Sequence, residues 1–205
     1  MLLPPADPIA GVDEVGRGAW WGPVVAAAVL ITPAQGEQLR VLGVRDSKQL
    51  SAQRRSHLAQ LIPTLALDVQ IAYATPRTID RCNIRQASLG AMGRAVHRLH
   101  PRPAHCFVDG RDLLPDLAIP QTALIKGDQQ EVAIAAASII AKVWRDTLCL
   151  RLDRHYPGYG FAAHKGYGTA QHGEALARFG LTPLHRRSFR PCREMRKEAR
   201  EVRKE

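Results

Sequence analysis

Four acidic side chains lie at the ends of short apolar segments, or directly after them, where the composition is that of β-strands. They are Asp13, Glu14, Asp109 and Asp128. Ligands of open α/β sheets bind at the carboxyl ends of strands, and carboxylates gathered there repel one another unless a cation lies between them. Hard divalent cations such as Mg²⁺ and Mn²⁺ prefer these oxygen ligands. A turn or capping role explains any one of the acids, but explains the whole set less well.

Residues that suit a phosphodiester substrate accompany the acids. The sequence Gly16-Arg17-Gly18 lets backbone amides approach a ligand closely, although a plain tight turn is the simpler explanation. Lys48 and Lys142 could contact phosphates, but single lysines are more often solvated surface residues. Tyr167 lies between two glycines, which suits either stacking on a sugar or base, or an ordinary surface position.

The overall charge indicates a polyanionic partner. A net charge of +10 and a pI near 10.0 favour nucleic acid first and an anionic membrane surface second. The apolar stretch Val24–Ile31 is too short to span a bilayer, and the proline-containing start does not resemble a signal peptide. The four cysteines are far apart in the sequence and show no zinc-site spacing, which favours reduced thiols. We therefore expect a cytoplasmic, monomeric protein without a membrane partner.

The elements that must position the acids follow from hydrophobic patterning. Strands are predicted over Ile9–Asp13, Pro23–Ile31, Leu67–Ala74, His105–Asp109 and Ala123–Lys126. Helices are predicted over Ala52–Leu61, Ile84–His100, Glu131–His155 and Ala170–Phe179, with a loop over Tyr156–Thr169. Strands come first and then alternate with helices, which predicts an α/β sheet that is antiparallel at first and parallel later. Residues 1–189 are expected to form the catalytic domain, with a C-terminal helical segment, and residues 190–205 a basic charged tail.

Two details of this prediction concern the end of one helix and the close packing of another. Pro63 is expected to end the helix that begins after Ser51. The alanine-rich start of the longest helix is expected to let that helix lie close to a sheet or to another helix.

Eight short motifs resemble, in order, those of ribonuclease HII, the bacterial type 2 ribonucleases H. The resemblance extends from about Ile9 to Phe189. The motifs are GVDEVGRG at 11–18, GPVVAAAV at 22–29, DSKQLS at 46–51, VDG at 108–110, KGD at 126–128, AASIIAKVWRD at 136–146, HKGYGT at 164–169 and HRRSF at 185–189.

The resemblance implies a ribonuclease H-like mixed sheet flanked by helices, with a C-terminal helical part. It implies an endonuclease that hydrolyses the RNA strand of RNA–DNA hybrids and cuts 5′ to single ribonucleotides in duplex DNA, leaving 3′-hydroxyl and 5′-phosphate ends. It implies that the four acids are catalytic ligands of Mn²⁺ or Mg²⁺. It also implies that the loop Gly16-Arg17-Gly18 senses the 2′-hydroxyl and that the Tyr167 ring packs against the sugar. The implied phosphate or site-supporting contacts are Lys48, Ser138, Lys142 and Lys165.

The chain departs from the family after the glycine-rich loop, where proline and small residues are common. Here Ala19, Trp20 and Trp21 follow, and we expect at least one tryptophan to be packed in the interior. Arg111 also adds a positive charge beside Asp109. Two other functions fit the residues: another metal nuclease of the same fold, equally active on all-DNA duplex, or a non-catalytic basic module that binds nucleic acid and does not need the acids.

Overall fold

The computed structural model describes residues 7–201, with side chains described for residues 7–195. The strands are β1 (Ile9–Val15), β2 (Val24–Ile31), β3 (Asp68–Ala74), β4 (His105–Asp109) and β5 (Gln121–Leu124). The helices are α1 (Pro33–Val41), α2 (Ala52–Leu65), α3 (Pro76–Cys82), α4 (Ile84–His97), α5 (Val132–Asp153), α6 (Phe161–His164), α7 (Ala170–Phe179) and α8 (Arg190–Glu201). Two short 3₁₀ turns are present at Ser47–Gln49 and Gly127–Gln129.

The five strands form one mixed sheet in the order β3-β2-β1-β4-β5. Strand β1 runs antiparallel to β2 and parallel to β4, and β5 is parallel to β4. The predicted sheet, antiparallel at first and parallel later, is confirmed. Every residue of β2 is buried, because alternate side chains enter apolar clusters on opposite faces of the sheet.

The described chain divides into two compact units. The first contains residues 7–15, 25–73 and 88–143, and it holds most of the sheet. One face of this sheet packs against apolar residues of α1, α2 and α5, and the other packs against α4. Helix α5 lies very close to β1, since a Cβ atom added to Gly11 would be 2.1 Å from the backbone carbon of Ala133. The expected close packing of the alanine-rich helix is confirmed.

The second unit contains residues 16–24, 74–87 and 144–201, and aromatic rings form much of its core. Trp21 is fully buried and stacks on Phe161, with ring centroids 3.9 Å apart and planes 16° apart. Its indole Nε1 donates a hydrogen bond of 3.0 Å to the Thr182 hydroxyl, so the buried polar group is satisfied. The expectation that one tryptophan of the pair is packed in the interior is confirmed.

Helix α2 contradicts the prediction that Pro63 ends it, because the helix continues to Leu65. Pro63 lies in the last turn, where its missing N–H removes one hydrogen bond while Leu58 and Ile62 remain buried in the core. Strand β5 also differs from the prediction: it ends at Leu124, since Lys126 adopts a left-handed conformation with φ of 55°.

Three helices were not predicted. Helices α1 and α3 both begin with proline after a threonine, and Thr32 and Thr75 cap them by accepting backbone N–H groups. Helix α6 lies within the segment predicted as a loop. At the C-terminus, α8 covers most of the predicted tail and Cys192 within it is fully buried. The boundary between domain and tail stays a prediction, and residues 1–6 and 202–205 lie outside the described residues.

Candidate active site

Asp13 and Asp109 lie next to each other on adjacent parallel strands. They follow Val12 and Val108, the last pair of residues through which β1 and β4 pair with each other. Because alternate residues of a strand face opposite sides, both aspartates face away from the α4 cluster that contains the two valines. The register of the sheet thus places two carboxylates, distant in sequence, on one face.

Strand β1 continues to Val15, two residues beyond the predicted end at Asp13, so Glu14 lies within the strand rather than after it. Strand alternation turns their side chains to opposite faces of the sheet. Asp13 is 6% exposed, and its Oδ1 accepts the Glu14 N–H at 2.6 Å. Burial, and then the negative charges of Glu14 and Asp109, raise the pKa of Asp13 well above its usual range.

Asp128 is buried in the 3₁₀ turn after β5, where it pairs with Lys48. The Lys48 Nζ lies 3.3 Å from Asp128 Oδ2, although the lysine side chain is 81% exposed. Burial raises the pKa of Asp128 above its ordinary value, although the positive charge of Lys48 acts to lower it. Within the same turn, the Gly127 N–H donates a 2.7 Å hydrogen bond to Asp109 Oδ1, which ties β4 to the turn.

Asp46 is a further buried acid of this site that the sequence analysis did not select. Its carboxylate accepts the Lys48 N–H at 2.9 Å and the Gln129 side-chain amide at 3.2 Å. Burial alone would raise the pKa of Asp46, but these hydrogen bonds and the charge of Lys48 lower it. The available signal was its place two residues before Lys48, in the motif from which only the lysine was selected.

Helix α5 contributes Ser138 and Lys142, which lie one turn apart and therefore on one helical face. The Ser138 hydroxyl is buried, lies 2.9 Å from the Ser47 hydroxyl, and is hydrogen-bonded to Asp13. Ser138 thus connects the first catalytic acid of the prediction with the turn that carries Lys48. Lys142 is half-buried.

The acids fit a hard divalent cation in donor type and in charge. Carboxylates that raise one another's pKa are held close enough to repel, and a cation between them relieves that repulsion. In the present side-chain arrangement, no three acidic, histidine or cysteine groups of the described residues form a complete metal ligand set. Asp13 and Asp109 share one face of the sheet, whereas Glu14 extends from the other face and Asp128 is paired with Lys48, so the last two acids would have to reorient to join the first two at a shared ion.

The glycine-rich loop and Tyr167 belong to the second unit. Gly16 has φ of +89°, and a Cβ there would lie 2.2 Å from the Arg145 Nε, so only glycine fits. Tyr167 is half-buried, with the Arg145 guanidinium carbon 5.3 Å from its ring centroid. Lys165 donates its Nζ to the Ala162 carbonyl. Trp20 is half-buried and packs against His172, with ring centroids 5.2 Å apart.

A family model described as Ribonuclease HII matches residues 10–192. The chain belongs to the ribonuclease HII family. The curated Ribonuclease HII of Microcystis aeruginosa is 58% identical over 184 residues, which cover 90% of this chain and 88% of that protein.

Solved structures agree with this assignment. The crystal structure of ribonuclease H2 from Pyrococcus horikoshii has a TM-score of 0.82 at 29% identity, covering 95% of this chain and 99% of that chain. The structure of the PCNA:RNase HII complex from Archaeoglobus fulgidus matches with a TM-score of 0.76 at 29% identity, covering 89% of this chain and 95% of that chain. The resemblance and the fold class expected from the sequence are confirmed. Ribonucleases HII are endoribonucleases that cleave the RNA of RNA–DNA hybrids and cut at ribonucleotides in DNA, and this chain is a hydrolase of that family.

Proposed function

We propose that Asp13, Glu14, Asp109 and Asp128 hold one or more divalent cations, Mg²⁺ or Mn²⁺, and carry the hydrolysis. The main support is the position of Asp13 and Asp109, side by side on one face of the sheet, with Glu14 and Asp109 raising the pKa of Asp13. Carboxylates that repel one another are stabilised by a bound divalent cation, which prefers oxygen ligands.

The proposed reaction is an in-line displacement at phosphorus. A water oxygen forms a bond to phosphorus and gives up a proton, the bond from phosphorus to the 3′-oxygen breaks, and the 3′-oxygen takes up a proton. The products have 3′-hydroxyl and 5′-phosphate ends. A bound divalent ion lowers the pKa of the attacking water and stabilises charge on the leaving oxygen.

Lys48 is proposed to contact a phosphate oxygen of the scissile strand. Its ammonium is largely exposed yet is held beside Asp128, so it is fixed in place and still available to a ligand. Ser138 is proposed to orient the Asp13 carboxylate through their hydrogen bond. Lys142 and Lys165 are proposed as further phosphate or site-supporting contacts.

Recognition of ribose is proposed to depend on Gly16, Arg17, Gly18 and Tyr167. The 2′-hydroxyl is the group by which a protein distinguishes RNA from DNA at one position. The proposed contacts are to sugar and phosphate, so cleavage should depend little on base sequence and binding should weaken steeply with salt. These contacts support cleavage on the 5′ side of a single ribonucleotide in duplex DNA.

The oligomeric state and the cellular location of the enzyme are also part of the proposal. No helix of the described residues is long and apolar enough to cross a membrane. We propose a monomer that acts in the cytoplasm on RNA–DNA hybrids and on duplex DNA containing ribonucleotides.

The decisive test replaces Asp13 with Asn and measures both cleavage and binding. Asp13→Asn removes one charge with little change in shape, so hybrid binding should persist while cleavage with Mg²⁺ or Mn²⁺ is lost. Asp116→Asn is the matched control, because Asp116 is exposed and has φ of 58°, a conformation that Asn tolerates well.

Three substrates separate the alternatives: an RNA–DNA hybrid, duplex DNA with one ribonucleotide, and all-DNA duplex. Equal cutting of the all-DNA duplex would favour another nuclease of the same fold. Undiminished cleavage by Asp13→Asn would remove the catalytic role of the acids, and binding without any cleavage by the wild type would favour the non-catalytic module.

A further inference from the structure

Two fully buried arginines, Arg145 on α5 and Arg186 in the segment before α8, lie in the second unit. Each guanidinium donates three hydrogen bonds to backbone carbonyl oxygens. Arg145 binds the carbonyls of Pro23, Trp21 and Lys165 at 3.0–3.1 Å. Arg186 binds those of Gly22, Arg17 and Gly16 at 2.7–3.0 Å.

Arginine is suited to this arrangement. Its planar guanidinium has five N–H donors in a rigid fork, whereas a lysine ammonium is a point charge on a flexible stem. Burying a cation is costly, and burying two near each other is more so. Burial, and then the charge of Arg145, lower the pKa of Arg186 to about 9. Such an unfavourable pair is consistent with a function beyond ordinary packing.

The contacts of Arg186 determine which way the loop amides point. In a trans peptide the C=O of one residue and the N–H of the next lie in one plane and point in opposite directions. Because the carbonyls of Gly16 and Arg17 point at Arg186, the N–H groups of Arg17 and Gly18 point away from it. Gly18 is exposed, and a Cβ there would meet nothing within 4 Å. These amides are thus directed to a side of the loop that a ligand can approach.

Arg145 connects this loop with the turn that carries Tyr167. Its guanidinium binds the carbonyl of Trp21, which lies just after the glycine-rich loop, and the carbonyl of Lys165, which lies just before Tyr167. The same group lies 5.3 Å from the centre of the Tyr167 ring. The two segments also bond directly, since the Trp20 N–H donates to the Gly166 carbonyl at 2.9 Å. The position of the Tyr167 ring is therefore coupled to that of the glycine-rich loop.

We propose that Arg145 and Arg186 are positioning residues for recognition of a single ribose. Arg186 fixes the direction of the loop amides, and Arg145 fixes the Tyr167 ring relative to the loop. The inference rests on the proposed ribose-sensing role of these segments. A single ribonucleotide offers one 2′-hydroxyl to the glycine-rich loop and Tyr167, whereas an RNA strand offers one at every position. Loss of positioning should therefore lower cleavage at a single ribonucleotide in DNA more than cleavage of an RNA–DNA hybrid.

The test compares the wild type with Arg186→Lys and Arg145→Lys on both substrates, with kcat and KM determined separately. We expect the ratio of kcat/KM, single ribonucleotide over hybrid, to fall about tenfold or more, mainly through kcat, because orientation is lost while flanking backbone contacts remain. Arg151→Lys is the matched control, since Arg151 is an exposed arginine on the same helix. A purely structural role would lower activity on both substrates in proportion to the unfolded fraction and leave the ratio unchanged.

Asp80→Asn tests Arg186 without altering a buried residue. The Asp80 carboxylate accepts the Arg187 N–H at 3.0 Å and the Ser188 N–H at 2.8 Å, and so anchors the chain on the C-terminal side of Arg186. Asn has one acceptor oxygen and an amide that cannot accept, so this anchor loosens. We expect the ratio to fall about threefold.

The outcomes separate this inference from the proposed function. Lysine variants that are folded by circular dichroism and keep the wild-type ratio would overturn the positioning role. If those variants do not fold, an unchanged ratio in Asp80→Asn overturns it. A wild-type protein that cuts the hybrid but not the single ribonucleotide would remove the ribose-sensing proposal itself, and one that cuts neither would remove the proposed function as well.

Discussion

Asp13 and Asp109 occupy neighbouring positions on parallel strands, immediately beyond the paired residues Val12 and Val108. Burial and the charges of Glu14 and Asp109 raise the pKa of Asp13, which means that ionising this carboxyl is costly in the folded chain. In the unfolded chain the charges of Asp13 and Asp109 are far apart. The metal-free fold is therefore less stable than it would be with one of these charges removed, as is common at functional sites.

Replacing Asp109 with Asn should raise stability and abolish cleavage. The Asn oxygen can still accept the Gly127 N–H that Asp109 binds at 2.7 Å, while the repulsion on Asp13 is removed. We expect a gain of about 1 kcal/mol, which for a chain of this size is about 2–4 °C in Tm. Thermal unfolding in the presence of a chelator measures it. A lower Tm than the wild type would contradict the view that like charges strain this site.

Substitutions of Lys48 should show whether cleavage depends on the charge of this side chain or on its shape. Burial alone would lower the pKa of Lys48, but the charge of Asp128 outweighs this and raises it, so the lysine is cationic throughout the neutral range. We expect Lys48→Met to lower kcat/KM about tenfold and Lys48→Arg to recover part of the loss. Steady-state cleavage of a hybrid at two salt concentrations tests this. Equal activity of Lys48→Met and the wild type would exclude a phosphate contact by Lys48.

The sequence predicted the sheet well because its strands have distinct patterns. Strand β2 is a continuous apolar run with both faces covered, and β4 was predicted with the same bounds as observed. The strand-end acids could be selected because several of them follow apolar runs, and a turn or capping role explains the whole set less well than a cation site. Asp46 has no such context: it precedes a short turn, and it joins the site through the hydrogen bond from the Gln129 side chain, far away in sequence.

Tertiary contacts also explain the residues whose importance the sequence did not indicate. Arg145 and Arg186 lie within the motifs AASIIAKVWRD and HRRSF, but neither was selected as a site residue, and both are fully buried. Their partners are backbone carbonyls, so the motif letters do not show what the two arginines bind. Pro63 was misleading for a related reason, since burial of Leu58 and Ile62 stabilises the helix around it.

Gly11 should tolerate no side chain, because α5 lies directly over it. A Cβ would be 2.1 Å from the Ala133 backbone carbon and 2.3 Å from the Ile134 nitrogen, and neither atom can rotate away. We expect Gly11→Ala to lower the free energy of unfolding by at least about 1–3 kcal/mol. Gly93→Ala is the control, since its Cβ would meet nothing within 4 Å in helix α4 and should stabilise by about 0.5–1 kcal/mol. Urea unfolding of both variants measures these changes, and equal stability of the two would contradict the packing.

Two buried histidines should make the fold sensitive to mild acid. The Thr182 N–H donates to His185 Nδ1 at 2.8 Å, which leaves the proton of His185 on Nε2. That proton is donated to His172 Nε2 at 3.1 Å, and His172 Nδ1 donates in turn to the Tyr167 carbonyl at 2.9 Å. A second proton on either ring would place two N–H groups against each other. Both histidines are therefore neutral in the folded chain.

The pKa shifts set the direction and range of the acid effect. Burial is the largest cause that lowers the pKa of His172 to about 4 and of His185 to about 3, from an ordinary value of 6.5. As pH falls below 6.5, the unfolded chain takes up protons that the folded chain does not, until about pH 4. The free energy of unfolding should thus fall across this window, by roughly 1.4 kcal/mol per pH unit for each histidine. Urea unfolding at neutral pH and near pH 5 should show a smaller loss in His185→Gln than in the wild type. The exposed control His57→Gln should behave like the wild type, and an equal loss in all three proteins would mean that other groups cause the acid sensitivity.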